Sequence, residues 1–314
     1  MHRSTLLAFR QIWPAHRVSF DTFTSRSICF SQVQSHPSIL TKTNTGNEDL
    51  LHVVDEMNNK DKDVGDEKDR QVRCYLLPPI GPGATAALSP NTSNRKQKTI
   101  YLVRHGRSQH NEAADEIGDA AYYDEAYYDA ELVDEGLTQA ADAGISLRNK
   151  GVGCVVASPL TRCLRTASIA CANDAVGIGG PSTRRVVIEH VRESGKYGHH
   201  PCNRRRSKEE IAHKFPEFDF GEIVSGHDTV WAHEEGRDGD GAMVQARGRK
   251  FLDWLAEQPE DIFAVFSHCV FLQQLLDAVL DMQPCTENWQ PRPEYDGGSS
   301  WFNGGQVQGF VLVW

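Results

Sequence analysis

Arg104-His105-Gly106-Arg107 sets one histidine between two arginines, directly after the short apolar, β-prone run 99–103. Charged side chains are rarely buried unless paired, and like charges this close repel unless an anion lies between them. Phosphate is the simplest occupant, because guanidinium forks match its oxygens bidentately. A neutral imidazole held among such arginines is a nucleophile near neutral pH and can attack phosphorus. Gly106 lets other backbone approach closely behind the ring. Alone, the cluster also fits a surface loop with a lone histidine, so the order of the remaining reactive residues has to decide.

Three further groups stand where other apolar runs end. They are Ser158-Pro-Leu-Thr-Arg162, Val191-Arg-Glu193 and Phe266-Ser-His268. Open α/β sheets place ligand sites at the ends of their strands, so the shared position makes one candidate pocket of scattered motifs. Arg162 would enter it from the first turn of a helix, whose unpaired N–H groups and positive dipole end suit an anion. A carboxylic acid at Glu193 could protonate a departing alkoxide and then, as a carboxylate, activate water. Each residue also has a plainer reading. Arg162 could be a surface arginine, as Arg165 is expected to be, facing solvent or pairing with an acid. Glu193 could pair with Arg192, and His268 could be a polar residue with a satisfied partner. His105, His110, Glu112 and Asp115 could be drawn as metal ligands. No His-Glu-x-x-His frame exists, however, and the arginines would repel a cation, so neither metal nor cofactor is expected.

The Arg-His-Gly triplet, with Asn111 five residues after Gly106, resembles the opening signature of the histidine phosphatase superfamily, the phosphoglycerate-mutase-like family. Ser158-Pro-x-x-Arg162 resembles its second signature, and His268 stands in the place of its second catalytic histidine. The resemblance implies a phosphohistidine formed on His105, with Arg104, Arg107, Arg162 and His268 clamping the phosphate. Asn111 is carried over as a phosphate or supporting contact, and Glu193 as acid and then base. By the same resemblance His268 would donate to the phosphate and to the equatorial oxygens of the transition state. The stretch Arg192-Glu193…Gly198-His-His-Pro-Cys202-Asn-Arg-Arg-Arg206 is similar to a plant and fungal phosphoglycerate mutase-like branch. There the interval from glutamate to cysteine is about two residues shorter, so the loop here is expanded. A glycine usual within two positions after the second histidine is replaced by Cys269-Val270, and a β-branched residue there is expected to crowd the phosphate entrance. Arg204, Arg205 and Arg206, with His199 and His200, are expected either to line the entrance or to form a solvated basic loop.

The elements that must position these residues are legible by period. Strands are expected at 99–103, 154–157, 186–191, 262–266 and 306–313, with a further short one allowed at 72–77. Helices are expected at 139–150 capped by Thr138 and stopped by Gly151, from Pro159 towards 172, after the capping box Ser207-Lys-Glu-Glu210, at 244–257, and through 272–276. Alternation of this kind predicts an α/β fold, a three-layer α/β/α sandwich with a mainly parallel sheet.

The catalytic domain is therefore placed at 99–314, about two-thirds of the 314 residues. Residues 1–47 hold five Lys or Arg, one acid and thirteen Ser or Thr. That composition resembles an organellar transit peptide, disordered in itself, and points to mitochondria, with plastid or cytoplasm as alternatives. Residues 48–98 read as a linker, acidic at first (nine acids and four bases in 48–70) and then containing Pro and Ser. The net charge of −10 argues against nucleic acid as a partner, and no run approaches the roughly 18 apolar residues of a membrane span. Eight scattered cysteines without a Cys-x-x-Cys pair read as reduced thiols. The expected activity is metal-independent hydrolysis of a small phosphomonoester. A phosphoglycerate-mutase-type transfer and a phospho-ligand-binding pseudoenzyme are the alternatives; oligomeric state and physiological substrate are left open.

Overall fold

The computed structural model describes residues 72–77, 96–172, 178, 180, 182–194, 199–234, 241–283 and 302–314. The transit-peptide stretch and most of the 48–98 linker lie outside the described residues. Seven strands, β1 (Arg73–Leu76), β2 (Gln97–Arg104), β3 (Cys154–Ala157), β4 (Arg184–Val187), β5 (Ile262–Ser267), β6 (Asp281–Gln283) and β7 (Val307–Val313), form one sheet. Their spatial order is β4-β3-β5-β2-β7-β1-β6. The pairs β4–β3, β3–β5, β5–β2 and β1–β6 are parallel, and β7 runs antiparallel to both β2 and β1. The sheet is mixed but mainly parallel, as the alternation of elements predicts.

Side chains alternate across the pleat and sort the core into two layers. Tyr101, Val103, Val155, Ala157, Ala264, Phe266 and Val311 pack with α2 (Asp134–Ser146), α3 (Thr161–Cys171) and α4 (Lys208–Lys214) on one face. Ile100, Leu102, Cys154, Val156, Phe263, Val265, Phe310 and Leu312 pack with α6 (Ala242–Glu257) and α7 (Cys269–Gln274) on the other. The fold is an α/β/α sandwich. Two short helices, α1 (Gln109–Ile117) and α5 (Thr229–Glu234), flank the ends of the strands.

Three boundaries are corrected. Helix α2 starts at Asp134, four residues before the expected cap, and the Thr138 hydroxyl donates to the Asp134 carbonyl inside the helix. The third expected strand stops at Val187, and a 3-10 turn (Glu189–Val191) carries the chain on to Glu193. The fold also begins before residue 99, because β1 sits between β7 and β6 with Cys74 and Tyr75 buried. The allowed short strand at 72–77, inside the expected linker, is thus a strand in the middle of one wing of the sheet. Its short apolar run could not declare its partners, which lie more than 200 residues away.

Burial of Cys74, Tyr75 and Leu77 contributes about 4 kcal/mol or more at roughly 1.5–3 kcal/mol per side chain. A chain starting at residue 71 should keep the melting temperature of the full chain. One starting at 96 should melt about 10 °C lower in a calorimeter, and equal midpoints would show that β1 adds no stability.

Candidate active site

The four adjacent parallel strands β4, β3, β5 and β2 end on one side, and the reactive residues gather beyond those ends. His105 lies after β2, Ser158 and α3 after β3, His268 after β5, and Glu193 after the turn that succeeds β4. The His105 backbone N–H donates to the Ser267 carbonyl at 3.0 Å, locking two of these ends together. Behind the ring, Gly106 faces Gly136 of α2. A Cβ at Gly106 would stand 2.3 Å from the Gly136 carbonyl oxygen, and one at Gly136 would stand 2.0 Å from that of Arg107. Two backbones meet there without side chains, which seats the histidine loop on the second helix.

His105 is buried, and its Nδ1 donates to the Gly106 carbonyl at 2.7 Å. A carbonyl only accepts, so the proton is on Nδ1 and the Nε2 lone pair is free. Into that lone pair Arg162 donates its Nε at 3.2 Å. Burial, followed by the charges of Arg162 and Arg104, pushes the His105 pKa well below the ordinary histidine value. The ring is neutral and its nucleophilic nitrogen points at a guanidinium.

Arg162 lies in the first turn of α3 and is 1% exposed. Its other nitrogens donate to the Cys202 carbonyl at 2.5 Å and to Asn203 Oδ1 at 2.9 Å. Thr166, one turn on, accepts from the Gly106 N–H at 3.1 Å and donates to the Arg162 carbonyl at 2.7 Å. Asp129, in a left-handed conformation, caps the helix by accepting from the Thr161 N–H at 2.8 Å and the Thr161 hydroxyl at 2.6 Å. Burial raises the Asp129 carboxyl to about 6 despite those hydrogen bonds.

The His268 ring stands edge-on to His105, with centroids 5.1 Å apart. Its Nε2 lies 2.8 Å from Ser158 Oγ and 3.3 Å from Cys163 Sγ, both fully buried. Burial, then Arg162 and His105, depress its pKa well below the usual value. Glu193 Oε1 accepts from the N–H groups of Ser194 at 2.8 Å and Phe271 at 3.1 Å. The side chain is thus pinned to the start of α7 through one oxygen, Oε1.

Not every expected ligand points inward. Arg104 does, donating to the Phe302 carbonyl at 2.8 Å while acting on the His105 charge. Arg107 is a correction: its guanidinium binds Asp115 and lies 3.5 Å from Glu135, near the surface. Acids at α1 and α2 draw it outward. Asn111 belongs to a capping box, its Oδ1 accepting from the Ser108 hydroxyl at 2.7 Å, and it hydrogen-bonds Tyr122. The basic cluster is corrected as well. Arg205 is buried, paired with Glu189 at 2.8 Å and donating to the carbonyls of Ser225 and His227. Arg204 pairs with Glu125 at 2.7 Å, and Arg206 lies 3.6 Å from Asp129. Val270 is half-buried in the first turn of α7.

Residues 100–294 match the model of the histidine phosphatase superfamily (branch 1). The chain belongs to that superfamily. A phosphoglycerate mutase-like protein of Arabidopsis thaliana is 33% identical over 58% of this chain and 74% of its own length. Phosphoglycerate mutase-like protein 1 of the same plant is 32% identical over 58% of this chain and 72% of its own. A probable phosphoglycerate mutase of the fungus Arthroderma benhamiae is 26% identical over 60% of this chain and 59% of its own. Membership supports phosphatase or mutase-type chemistry on a phosphorylated substrate. The residues missed by sequence reading are those around the family positions. Thr166 stands at helical spacing from Arg162 and Asn203 beside the Cys202 motif, so both had a signal; Asp129, Ser158 as the partner of His268, and Tyr122 had none.

His105, His110 and His268 are all buried, with pKa values pushed well below the ordinary one. The unfolded chain binds protons on these rings below about pH 6.5 and the native chain does not, so stability should drop as pH falls through that value. The drop approaches ~1.4 kcal/mol per pH unit for each ring. Asp129, raised to about 6, works in the opposite sense and adds stability as pH falls from 6 towards 4. Urea midpoints should be lower at pH 6 than at pH 7.5, and His268→Asn should shrink the difference. A flat profile would mean that the rings are not held neutral.

Proposed function

We propose that the chain hydrolyses a phosphomonoester without a metal, through a phosphohistidine on His105. The observation that carries this reading is the fixed tautomer of His105, with Nδ1 bound to Gly106 and Nε2 presented to a buried arginine. A phosphoryl group entering between the rings brings negative charge to Arg104 and Arg162. His105 Nε2 attacks phosphorus, the P–O bond to the leaving group breaks, and a protonated Glu193 gives its Oε2 proton to the leaving oxygen. Glu193, now a carboxylate, takes a proton from water as that water attacks the phosphohistidine. His268, held by Ser158, and the two arginines stabilise the equatorial oxygens in both steps. With Arg107 engaged by Asp115 and Glu135, the clamp is Arg104, Arg162 and His268.

The names of the relatives favour a second reading, transfer of the phosphoryl group back to the bound alcohol in place of water. Release of one phosphate per substrate without isomerised product distinguishes hydrolysis from mutase activity.

Quenching with labelled substrate should trap an acid-labile, base-stable label on His105. Label on Ser108 or a cysteine, or turnover retained by His105→Ala, would overturn the mechanism. Glu193→Gln should slow alkyl phosphates about 10² to 10⁴-fold and aryl phosphates much less, since a good leaving group needs little protonation. Equal losses would remove Glu193 from the acid role.

A further inference from the structure

From the active-site histidine a run of rings leads outward. His105 and His110 have centroids 6.3 Å apart, His110 and Tyr122 5.6 Å, Tyr122 and His200 5.4 Å, and His200 and Tyr123 4.8 Å. His105, His110 and His200 are buried, Tyr122 is half-buried and Tyr123 is exposed. The Tyr122 hydroxyl hydrogen-bonds Asn111. Tyr122 therefore stands two rings out from His105 and is tied to Asn111 of the histidine motif. That puts it on the path leading outward from the phosphate-binding residues.

The charges around this mouth carry a second message. A leaving group with its own carboxylate or second phosphate needs a cation that is not already engaged. Arg107 is held by Asp115 and Glu135, Arg204 by Glu125, Arg205 by Glu189 and Arg206 by Asp129. Among the described residues, each of these arginines around the site has its carboxylate partner already. Arg204 also lies over the rings of Tyr128 and Trp231, at 4.4 and 5.0 Å from their centroids, which extends the aromatic character of the mouth.

We infer, on the footing that the site cleaves a phosphomonoester as proposed above, that its leaving group is an alcohol carrying an uncharged planar ring, which packs against Tyr122. The rings of Tyr122 and its neighbours offer flat apolar area and edge-to-face contacts outward of His105. A small, doubly charged ester would meet the same rings and arginines already engaged by carboxylates. Tyr122 is then the specificity residue, with His200 behind it.

Phosphate release by the full chain from benzyl phosphate, cyclohexylmethyl phosphate and 3-phosphoglycerate separates the cases, because the first two leaving groups match in size and nearly in acidity. Benzyl phosphate should exceed cyclohexylmethyl phosphate about three- to tenfold in kcat/KM, chiefly through KM, and should exceed 3-phosphoglycerate by more. Tyr122→Leu should bring the benzyl to cyclohexylmethyl ratio close to one, and Tyr122→Phe should keep it. Equal rates for the two rings, or a preference for 3-phosphoglycerate, would overturn the inference. Should Tyr122→Leu not fold, the wild-type ratio still decides, and His200→Leu removes the neighbouring ring. If no ester is turned over, the phosphatase reading fails by itself. Calorimetric binding of benzylphosphonate against cyclohexylmethylphosphonate then tests the wall alone, and equal affinities overturn it.

Discussion

Arg162 carries a full positive charge at 1% exposure, and much of the site can be understood as the set of groups that make this tolerable. Withdrawing a cation from water costs several kcal/mol unless its donors are matched. Here they are matched by His105 Nε2, the Cys202 carbonyl and Asn203 Oδ1, three groups from two segments far apart in sequence. Asn203 is held in turn, its carbonyl accepting from Arg192 at 2.6 Å. Arg192 is itself buried between Asp228, gripped through both oxygens at 2.5 and 2.8 Å, and Glu189. Asp228 and Glu189 also hold Arg205, through its backbone N–H and its guanidinium. One buried ionic network thus fixes the turn leading to Glu193, the 200–206 loop and the start of α5. Arg247 of α6 closes it from the other side by donating to the carbonyls of Arg192 and Glu193.

The same charges set the chemistry. Full burial first, and then Arg162 beside both rings, favour neutral His105 and His268, so one nitrogen lone pair is available while a surplus of positive charge remains. A site in that condition favours an anion, and a phosphoryl group brings one. Hydrogen bonds to Gly106 and Ser158 orient the two imidazoles before any ligand arrives, so little reorganisation is left for the reacting complex. Glu193 is fixed with equal economy by the amides of Ser194 and Phe271, which tie the carboxyl group to the helix beginning after His268.

How much of this the sequence discloses depends on the range of the interaction. The strand-end position of His105, Arg162 and His268 is legible because apolar runs and reactive residues adjoin in the chain. The capping box at Ser207 is legible for the same reason, being complete within four residues. Arg107 escapes such a reading because the acids that capture it, Asp115 and Glu135, belong to two helices whose approach depends on the glycine contact behind the ring. Arg205 escapes it because a run of three arginines looks alike at every position, while folding buries one of them and leaves its neighbours at the rim. Strand β1 is nearly lost because its partners in β7 and β6 lie at the far end of the chain.

Arg107 and Arg205 also bear on selectivity. An arginine-rich entrance, which the basic run alone would suggest, draws in multiply charged esters; one whose arginines are each paired with a carboxylate leaves the half-buried Arg104 and the buried Arg162 as the attraction for a single phosphate. Long-range steering then falls to a domain that is acidic in balance, with 33 acids against 20 bases in 99–314. Selection among esters would then come from short-range fit, for which the adjoining rings of His110, Tyr122 and His200 are proposed. The family signature and the mouth are separable in physical terms. In the proposed reaction the first sets how phosphorus is attacked, and the second, built from 3-10 turns and loops, sets which alcohol can sit behind it.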